Sequence, residues 1–415
     1  MAGERTMRLS RAVRNVSAVV VSFLFVALLI ALARFRPPAR VLPPESPEIA
    51  RLRFSRTENA WYVLQEAVDL IPPDPFVDPR TTVDFRFGIM GRFTGVYLPD
   101  DNAEHVAWVR SCGPAVGRAR DALAMDHLLM AIEFPGTENP EQRIWKINRF
   151  GILPRAMLAL AALETMSGGD AEIVLNYWRD ALRLSLMLRN SIPARGYESA
   201  KAVAMLARQL SPEVQREALP WLIEFNASKA PPRRAAEDLL RMYESWSGGW
   251  KEQFRHQDPR YMPYVLRNMV HSGPARRVFA ANVEAILDTC RYTHNEFEGW
   301  SHKFPELADA CETSFPGFTM RFPICRHNAA FQVSLDIMEV VMALELYRHE
   351  HGAYPESIEA LAPKLLPQAP RNAMFDVPFF YRRAEVDYWF AMSHGKVDDP
   401  ARLIYSDIII SPPEP

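Results

Sequence analysis

The chain has 415 residues, 48 Lys and Arg against 50 Asp and Glu, a formal net charge of −2 and 48% hydrophobic side chains. That balance argues against a dedicated nucleic-acid surface, which carries a basic excess. The apolar share is enough for a real core, and the length suggests two or three domains. Pro is high at 34 and Gly low at 18, which disfavours an all-β architecture of tight turns and suggests helices punctuated by prolines.

The first predicted element is the uncharged run 16–33, VSAVVVSFLFVALLIALA, 18 residues long. A helix that spans a bilayer needs about 20 residues, and only a helix satisfies its own backbone in lipid. Arg5, Arg8, Arg11 and Arg14 precede the run, with Glu4 the only acid before it; Arg34, Arg36 and Arg40 follow. Positive charge flanks both ends, so the positive-inside rule favours a cytoplasmic N-terminus only weakly. The short first flank and the lack of a second span give the same topology. The rival is a cleaved signal peptide, for which Ala31-Leu32-Ala33 supplies an A-x-A site. Both readings place residues 35–415 outside the cytoplasm. A buried soluble helix fits less well, because the run has no polar face.

Residues 36–48, RPPARVLPPESPE, hold five prolines and read as a semi-rigid spacer. Trp61, Leu64, Val68 and Ile71 share helical spacing up to Pro72-Pro73. Residues 72–102 are rich in Pro, Asp and Gly and read as irregular, with a small strand at most. Helical patterns then continue for nearly two hundred residues: Ala103–Arg110, 114–132, Phe150–Met166, Ala171–Arg189 capped by Asp170, Tyr197–Leu210, a helix from Ser211-Pro212-Glu213 to about Asn226, and Arg233–Ser245. Short connections imply antiparallel neighbours in a bundle or hairpin array. Gly169-Asp170-Ala171-Glu172 with Tyr177-Trp178, Ala181-Leu182 and Leu184 resembles the first helix of a tetratricopeptide repeat. No echo lies one repeat length later, which favours an ordinary amphipathic helix. Residues 246–275 read as loop and short helix, Arg276–His294 as helix, and 295–327 as a connection.

From Ala329 the pattern changes. A long helix, Ala329–His349, carries Leu335, Met338, Met342 and Leu346 on one face. Gly352 is its natural left-handed terminator, with Pro355 shortly after. A short helix at Ser357–Ala362 follows. Three short strands come next, around Phe379-Phe380-Tyr381, Tyr388–Met392, and Ile404-Tyr405 with Ile408–Ile410. This order resembles the C-terminal lobe of the major pseudopilin of type II secretion systems, and related lobes on bacterial membrane-anchored proteins. The resemblance lies in Ala343-Leu344-Glu345-Leu346-Tyr347, His351-Gly352-Ala353-Tyr354-Pro355, Ile358-Glu359-Ala360-Leu361, Phe375-Asp376 before Pro378 and Tyr381, Ser393-His394-Gly395, Asp398-Asp399 and Ser406-Asp407-Ile408. It covers about the last 85 residues. The processed pseudopilin leader is missing before Val16, and no acid lies inside the apolar run, so the lobe reads as borrowed by an anchored helical protein. In that family the loop before the last strand binds calcium. The matching positions are Ser393, Asp398, Asp399 and Asp407. Four such oxygens fall short of the usual 6–8 without backbone and water, and a solvated acidic turn explains the same residues.

The four cysteines, Cys112, Cys290, Cys311 and Cys325, read as disulfide candidates in an oxidising compartment, with three pairings open. A Cys290–His294–Cys311–Cys325 zinc site has the wrong spacing for a compact module. His349 and His351 sit where a helix C-terminus would hold them against its last carbonyls. No phosphate-binding, nucleophile-elbow, zincin or dinucleotide motif occurs.

The expected fold is therefore mainly α: an N-terminal transmembrane helix, an α-helical bundle or hairpin array, and a small C-terminal α+β lobe with a short antiparallel sheet. Its parts are an anchor (1–35), a spacer (36–48), a helical domain (49–294), a connection (295–327) and a lobe (328–415). The expected role is a membrane-anchored, extracytoplasmic interaction or scaffold protein of the bacterial envelope, touching lipid through residues 16–33, binding envelope proteins and no nucleic acid. The alternative is an envelope enzyme with its site between body and lobe, near Glu296, Glu298 and His302.

Overall fold

The computed structural model describes residues 44–73, 103–131, 149–191, 207–208, 210–228, 233–238, 241, 281–288, 303–305, 323–369, 371–372, 377–384, 387–391 and 408–410. Over these residues the protein is mainly helical, with small antiparallel sheets near the C-terminus. The α-helices are α1 Pro47–Phe54, α2 Ala60–Asp69, α3 Ala103–Ser111, α4 Gly113–Leu123, α5 Ile152–Met166, α6 Ala171–Ser191, α7 Pro212–Ser228, α8 Val283–Asp288 and α9 Pro323–His351. No helix among the described residues is long and apolar enough to cross a membrane. Residues 16–33 lie outside them.

Local chemistry sets most helix ends. Ser46 Oγ accepts from Ile49 N at 3.3 Å and Pro47 opens α1. Asn59 Oδ1 accepts from Trp61 N at 3.1 Å at the start of α2. Asp170 accepts from Glu172 N at 2.8 Å, and Ser211 from Val214 N at 3.4 Å. Each satisfies a first-turn N–H that the helix itself leaves unpaired. Gly168 and Gly352 take φ of +67° and +76°, the left-handed conformation that closes α5 and α9 at little steric cost.

Asn59 does more than cap. It is fully buried, and its amide donates to Arg53 O at 2.7 Å and Leu129 O at 2.9 Å while Oδ1 accepts from Leu129 N at 3.0 Å. Ala60 N adds a bond to His127 O at 2.8 Å. These bonds replace helical ones, so the chain leaves α4 at Leu123 and passes beside α2 through 128–131 without helical structure. The helix expected to continue to 132 stops nine residues early for that reason.

Beside Asn59 lies a buried ion cluster. Arg53, 2% exposed, places two guanidinium N–H groups on Asp238 at 2.8 and 3.0 Å, another on Met130 O at 2.6 Å, and reaches Glu45 at 2.5 and 3.1 Å. Arg234 closes the cluster on Glu45. Burial works against the charge on Arg53, but hydrogen bonds and charge from Glu45 and Asp238 win and raise its pKa. Burial likewise opposes ionisation of Glu45; the Arg53 hydrogen bond and charge, with Arg234, hold its carboxyl below the ordinary 4.5. The cluster fastens the start of the described chain to α1, to the 128–131 strip and to residues 233–238. Since α1 begins at Pro47, the expected spacer gives up its last two residues to helix.

The core runs from these helices to α9. In α5 every side chain from Ile152 to Leu163 is buried, and its alanines let α6 lie close along it, the most extensive helix pairing among the described residues. Gly169 returns so tightly that a Cβ there would meet Glu164 backbone O at 2.9 Å. In α7, Pro220 lies on the exposed side, where water can take the carbonyl it leaves unbonded. The helix packs on α6 and α9. From Phe331 to Leu346, α9 is buried on almost every side, beyond the single Leu335–Met338–Met342–Leu346 stripe. It also begins at Pro323, inside the expected 295–327 connection.

After α9 comes a 3₁₀ helix, Ile358–Leu361. Strands β3 Phe380–Arg383, β4 Tyr388–Ala391 and β5 Ile408–Ile410 form an antiparallel sheet in the order 3-4-5, with Tyr381 opposite Phe390 and Phe390 opposite Ile410. These are the three expected strands. An additional ribbon pairs β1 Arg371–Asn372 with β2 Val377–Pro378.

Two outcomes follow for the ion cluster. Removing Arg53 takes both hydrogen bonds from the buried Asp238 carboxylate and leaves it, among the described residues, only Arg234 Nε at 3.7 Å, so Arg53→Ala lowers unfolding free energy by about 3–5 kcal/mol, measured by urea denaturation. The depressed Glu45 pKa contributes stability that is present above the unfolded-state value and lost as pH falls through the folded value. Glu45→Gln therefore flattens the loss of thermal stability below about pH 4.5, read as a melting temperature from pH 7 to 3.

Candidate functional site

Glu345 sits in the last third of α9 and is 1% exposed. A buried carboxylate persists as an ion only with opposite charge and full hydrogen bonding around it. Four side chains supply this. The Tyr354 hydroxyl lies 2.9 and 3.1 Å from the two oxygens, Arg208 Nε 3.0 Å from Oε1, Arg348 2.9 Å from Oε2, and the Tyr388 hydroxyl 3.5 Å from Oε1.

Each donor is itself placed by a neighbour. Arg348 comes from the next turn of α9 and lies over the Tyr354 ring at 5.1 Å. Gly352 turns the chain back, so Tyr354 returns beside Glu345 and packs edge-on against Tyr388 at 4.6 Å. Tyr381 donates to Pro355 O at 2.7 Å, tying β3 to the same turn. Arg208 arrives from the helical body. Its second arm meets Asp387 Oδ1 at 2.8 Å, and its guanidinium lies 5.4 Å from the Tyr388 ring centre. Asp387 also accepts from Tyr388 N at 2.9 Å. One body arginine thus bridges two lobe carboxylates.

The electrostatics agree. Burial opposes the charge on Arg208, but Asp387, Tyr388 and Glu345 raise its pKa. Burial is the first cause that pushes Tyr354, Tyr381 and Tyr388 up, and the Glu345 charge adds to it for Tyr354 and Tyr388. These phenols stay protonated and act as donors. With two charged and two phenolic donors on one carboxylate, the group is spent on binding the lobe to the body.

A second polar cluster lies further back on α9. Asn226 of α7 donates to Asp336 at 3.0 Å and Glu339 at 2.6 Å, and Gln332 donates to Asn226 at 2.9 Å and Asp336 at 2.6 Å. It sets the register of α7 against α9.

Of the residues singled out by sequence, Ser393, Asp398, Asp399, Asp407, Cys290, Cys311, Glu296, Glu298 and His302 lie outside the described residues. Cys325 falls in the first turn of α9. Cys112 is buried between α3 and α4, its Sγ 3.5 Å from Trp108 O. Among the described residues no cluster of three or more metal-ligating side chains occurs. His351 stacks on Tyr347 with ring centres 4.0 Å apart, and its Nδ1 is 2.9 Å from Tyr347 O, the helix-end role expected of it. Glu345, Tyr354 and Tyr388 stood inside quoted motifs without an assigned role. Arg208 and Asp387 carried no local signal, because their partners are remote in sequence.

No family model matches the chain, and neither the characterised proteins nor the solved structures compared with it give a match.

If Arg208 couples body to lobe, Arg208→Gln and Asp387→Asn are non-additive. The double-mutant cycle should give a coupling of about 1–2 kcal/mol, measured by denaturant unfolding. Additive effects would show that the pair is not a joint.

Proposed function

We propose that this chain is a single-pass membrane protein of the bacterial cell envelope, N-terminus cytoplasmic and body extracytoplasmic, that serves as an interaction scaffold linked to secretion or pilus-like machinery. Support comes from the arginine-flanked apolar run 16–33, the proline spacer behind it and the pseudopilin-like order of the last 85 residues. The observation that carries the reading is the saturation of Glu345 by Tyr354, Tyr388, Arg208 and Arg348. Such a cluster holds two parts in one orientation, as a scaffold requires. The rival, an envelope enzyme with its site at this junction, draws no support from groups that are used up on one another. Calcium at Ser393, Asp398, Asp399 and Asp407 is a separate expectation of the same resemblance and would brace the turn before β5.

Cross-linking in native membranes, followed by purification of the full-length protein and mass spectrometry, tests this. Because α9 belongs to the core, deleting the lobe would expose it. The better control reverses exposed lobe charges, Glu356→Lys with Lys364→Glu. Secretion or pilus-assembly components should come down with the unaltered protein and be depleted about tenfold with the control, the loss that 1.4 kcal/mol of contact brings. Equal recovery in both, or none above background, sinks the proposal. Release of the protein by alkaline carbonate would separately remove the anchor.

A further inference from the structure

The attachment of α1 rests on charge. Of its eight residues only Leu52 and Arg53 are buried, and Phe54, its largest apolar side chain, is 49% exposed. A helix this short does not stand alone in water, so contacts must hold it. Among the described residues α1 packs extensively on no other element, whereas α2 lies along α4 and α5 along α6. One leucine is a small apolar footing. The rest of the hold is the Arg53 guanidinium on Asp238, Met130 O and Glu45, and the bond that Asn59 gives to Arg53 O.

The charges around it are closely balanced. Arg53 and Arg234 both reach Oε1 of Glu45, each at 2.5 Å, so two guanidinium groups meet across one carboxylate. Asp238 takes Arg53 at 2.8 Å and lies 3.7 Å from Arg234. Glu237 is 3.6 Å from Arg234 and is held more closely by Arg233, at 3.1 Å. The 128–131 strip contributes the neutral Met130 O. On the outside of α1, Arg51 pairs with Glu58, whose charge His127 also feels. Protonating Glu45 and Asp238 therefore leaves Arg53 and Arg234 side by side, with Arg53 buried, and attraction turns into repulsion.

We propose that α1 is a releasable strap, closed on the body while Glu45 and Asp238 are ionised and opened when they are protonated, so that residues 44–54 pass to the tether. The consequence rests on the anchored reading: release adds about 35 Å of extended chain between membrane and body. Asn59 sets the far end of the released segment, because its buried amide also holds Leu129 O. Burial opposes ionisation of Glu45, but Arg53 and Arg234 hold its carboxyl below 4.5. A carboxyl depressed in the folded state stabilises it above the unfolded value, and that effect is lost as pH falls through the folded value. The strap is closed near neutrality and opens in acid.

Hydrogen exchange on the full-length protein in detergent, read by mass spectrometry and corrected for the intrinsic effect of pH, tests this. Opening of α1 by itself shows as exchange over residues 48–55 while residues 152–163 of α5 stay protected. Glu45→Gln with Asp238→Asn copies the protonated state at pH 7 with little change of side-chain size. Over 48–55 this double variant should exchange about tenfold or more faster than the unaltered protein, the change that 1.4 kcal/mol of lost attraction brings. The unaltered protein should reach the same rate below about pH 4. Arg51→Gln removes a surface pair outside the cluster and should leave the rate within about twofold. Unchanged exchange in the double variant, α1 already unprotected at pH 7, or α1 and α5 losing protection together each overturns the strap. Neutron reflectometry of the protein in a supported bilayer reads the consequence: the body should withdraw from the bilayer in acid and return at pH 7. Equal height at both pH values with α1 open overturns the tether role. Selective opening in a protein that alkaline carbonate releases would keep the strap and remove the anchor. Retention in the membrane without selective opening would do the reverse.

Discussion

Everything in the C-terminal half depends on enclosing α9 on nearly all sides. A helix with apolar residues all round must be covered all round, and no single partner offers enough surface. Helix α7 covers one side of the helix, and the 3₁₀ turn and β1 contact it further along. The body and the lobe are therefore not beads joined by a linker. They share one core element, and the expected boundary at 328 falls inside a helix that begins at Pro323. The acids on α9 then become the problem the rest must solve. An unpaired carboxylate at Glu345 would cost several kcal/mol, and its remedy brings in Arg208 from the body and Tyr354 and Tyr388 from the lobe.

Such clusters contribute less to net stability than their short distances suggest. Desolvating the ions offsets much of the attraction, and an apolar replacement of the same shape is often as stable. What they impose is a penalty on every other arrangement. Slide the lobe along α9 and Glu345 loses its donors; move the first residues of the body and Arg53 loses Glu45 and Asp238. Among the described residues there are two such joints, one where the described chain begins and one where the lobe meets the body. Both use arginine, whose planar fork can serve two acids at once.

Sequence and structure agree where a few neighbouring residues decide the local conformation. Asp170 and Ser211 cap as their positions suggest, Gly352 ends α9, and the alternating aromatics after Phe379 form the small sheet. Sequence and structure part where a distant residue overrides a local preference. The 128–131 strip falls in an expected helix, yet it is not helical because Asn59 offers it both a donor and an acceptor. Nothing local marks Arg53 as a core residue, yet it is buried because Asp238, 185 residues away, meets it. Glu345 lay in the pseudopilin-like pattern with nothing to mark it as a hub, since Arg208 has no signature of its own. Local sequence carries the caps and turns; pairing between remote charges appears only once the chain is folded.

The two joints also bear on how the protein would act as an anchored scaffold. If residues 16–33 cross the membrane, a force on the lobe passes through Arg208 into the body and leaves through the Glu45 clamp into the spacer. A flexible attachment at either point would let the lobe turn freely, and an approaching partner would have to order it first, at a cost in conformational entropy. Fixed charges at both ends meet that cost during folding. The lobe is then presented to a partner in one geometry relative to the body. Rigid internal joints are what such an arrangement needs.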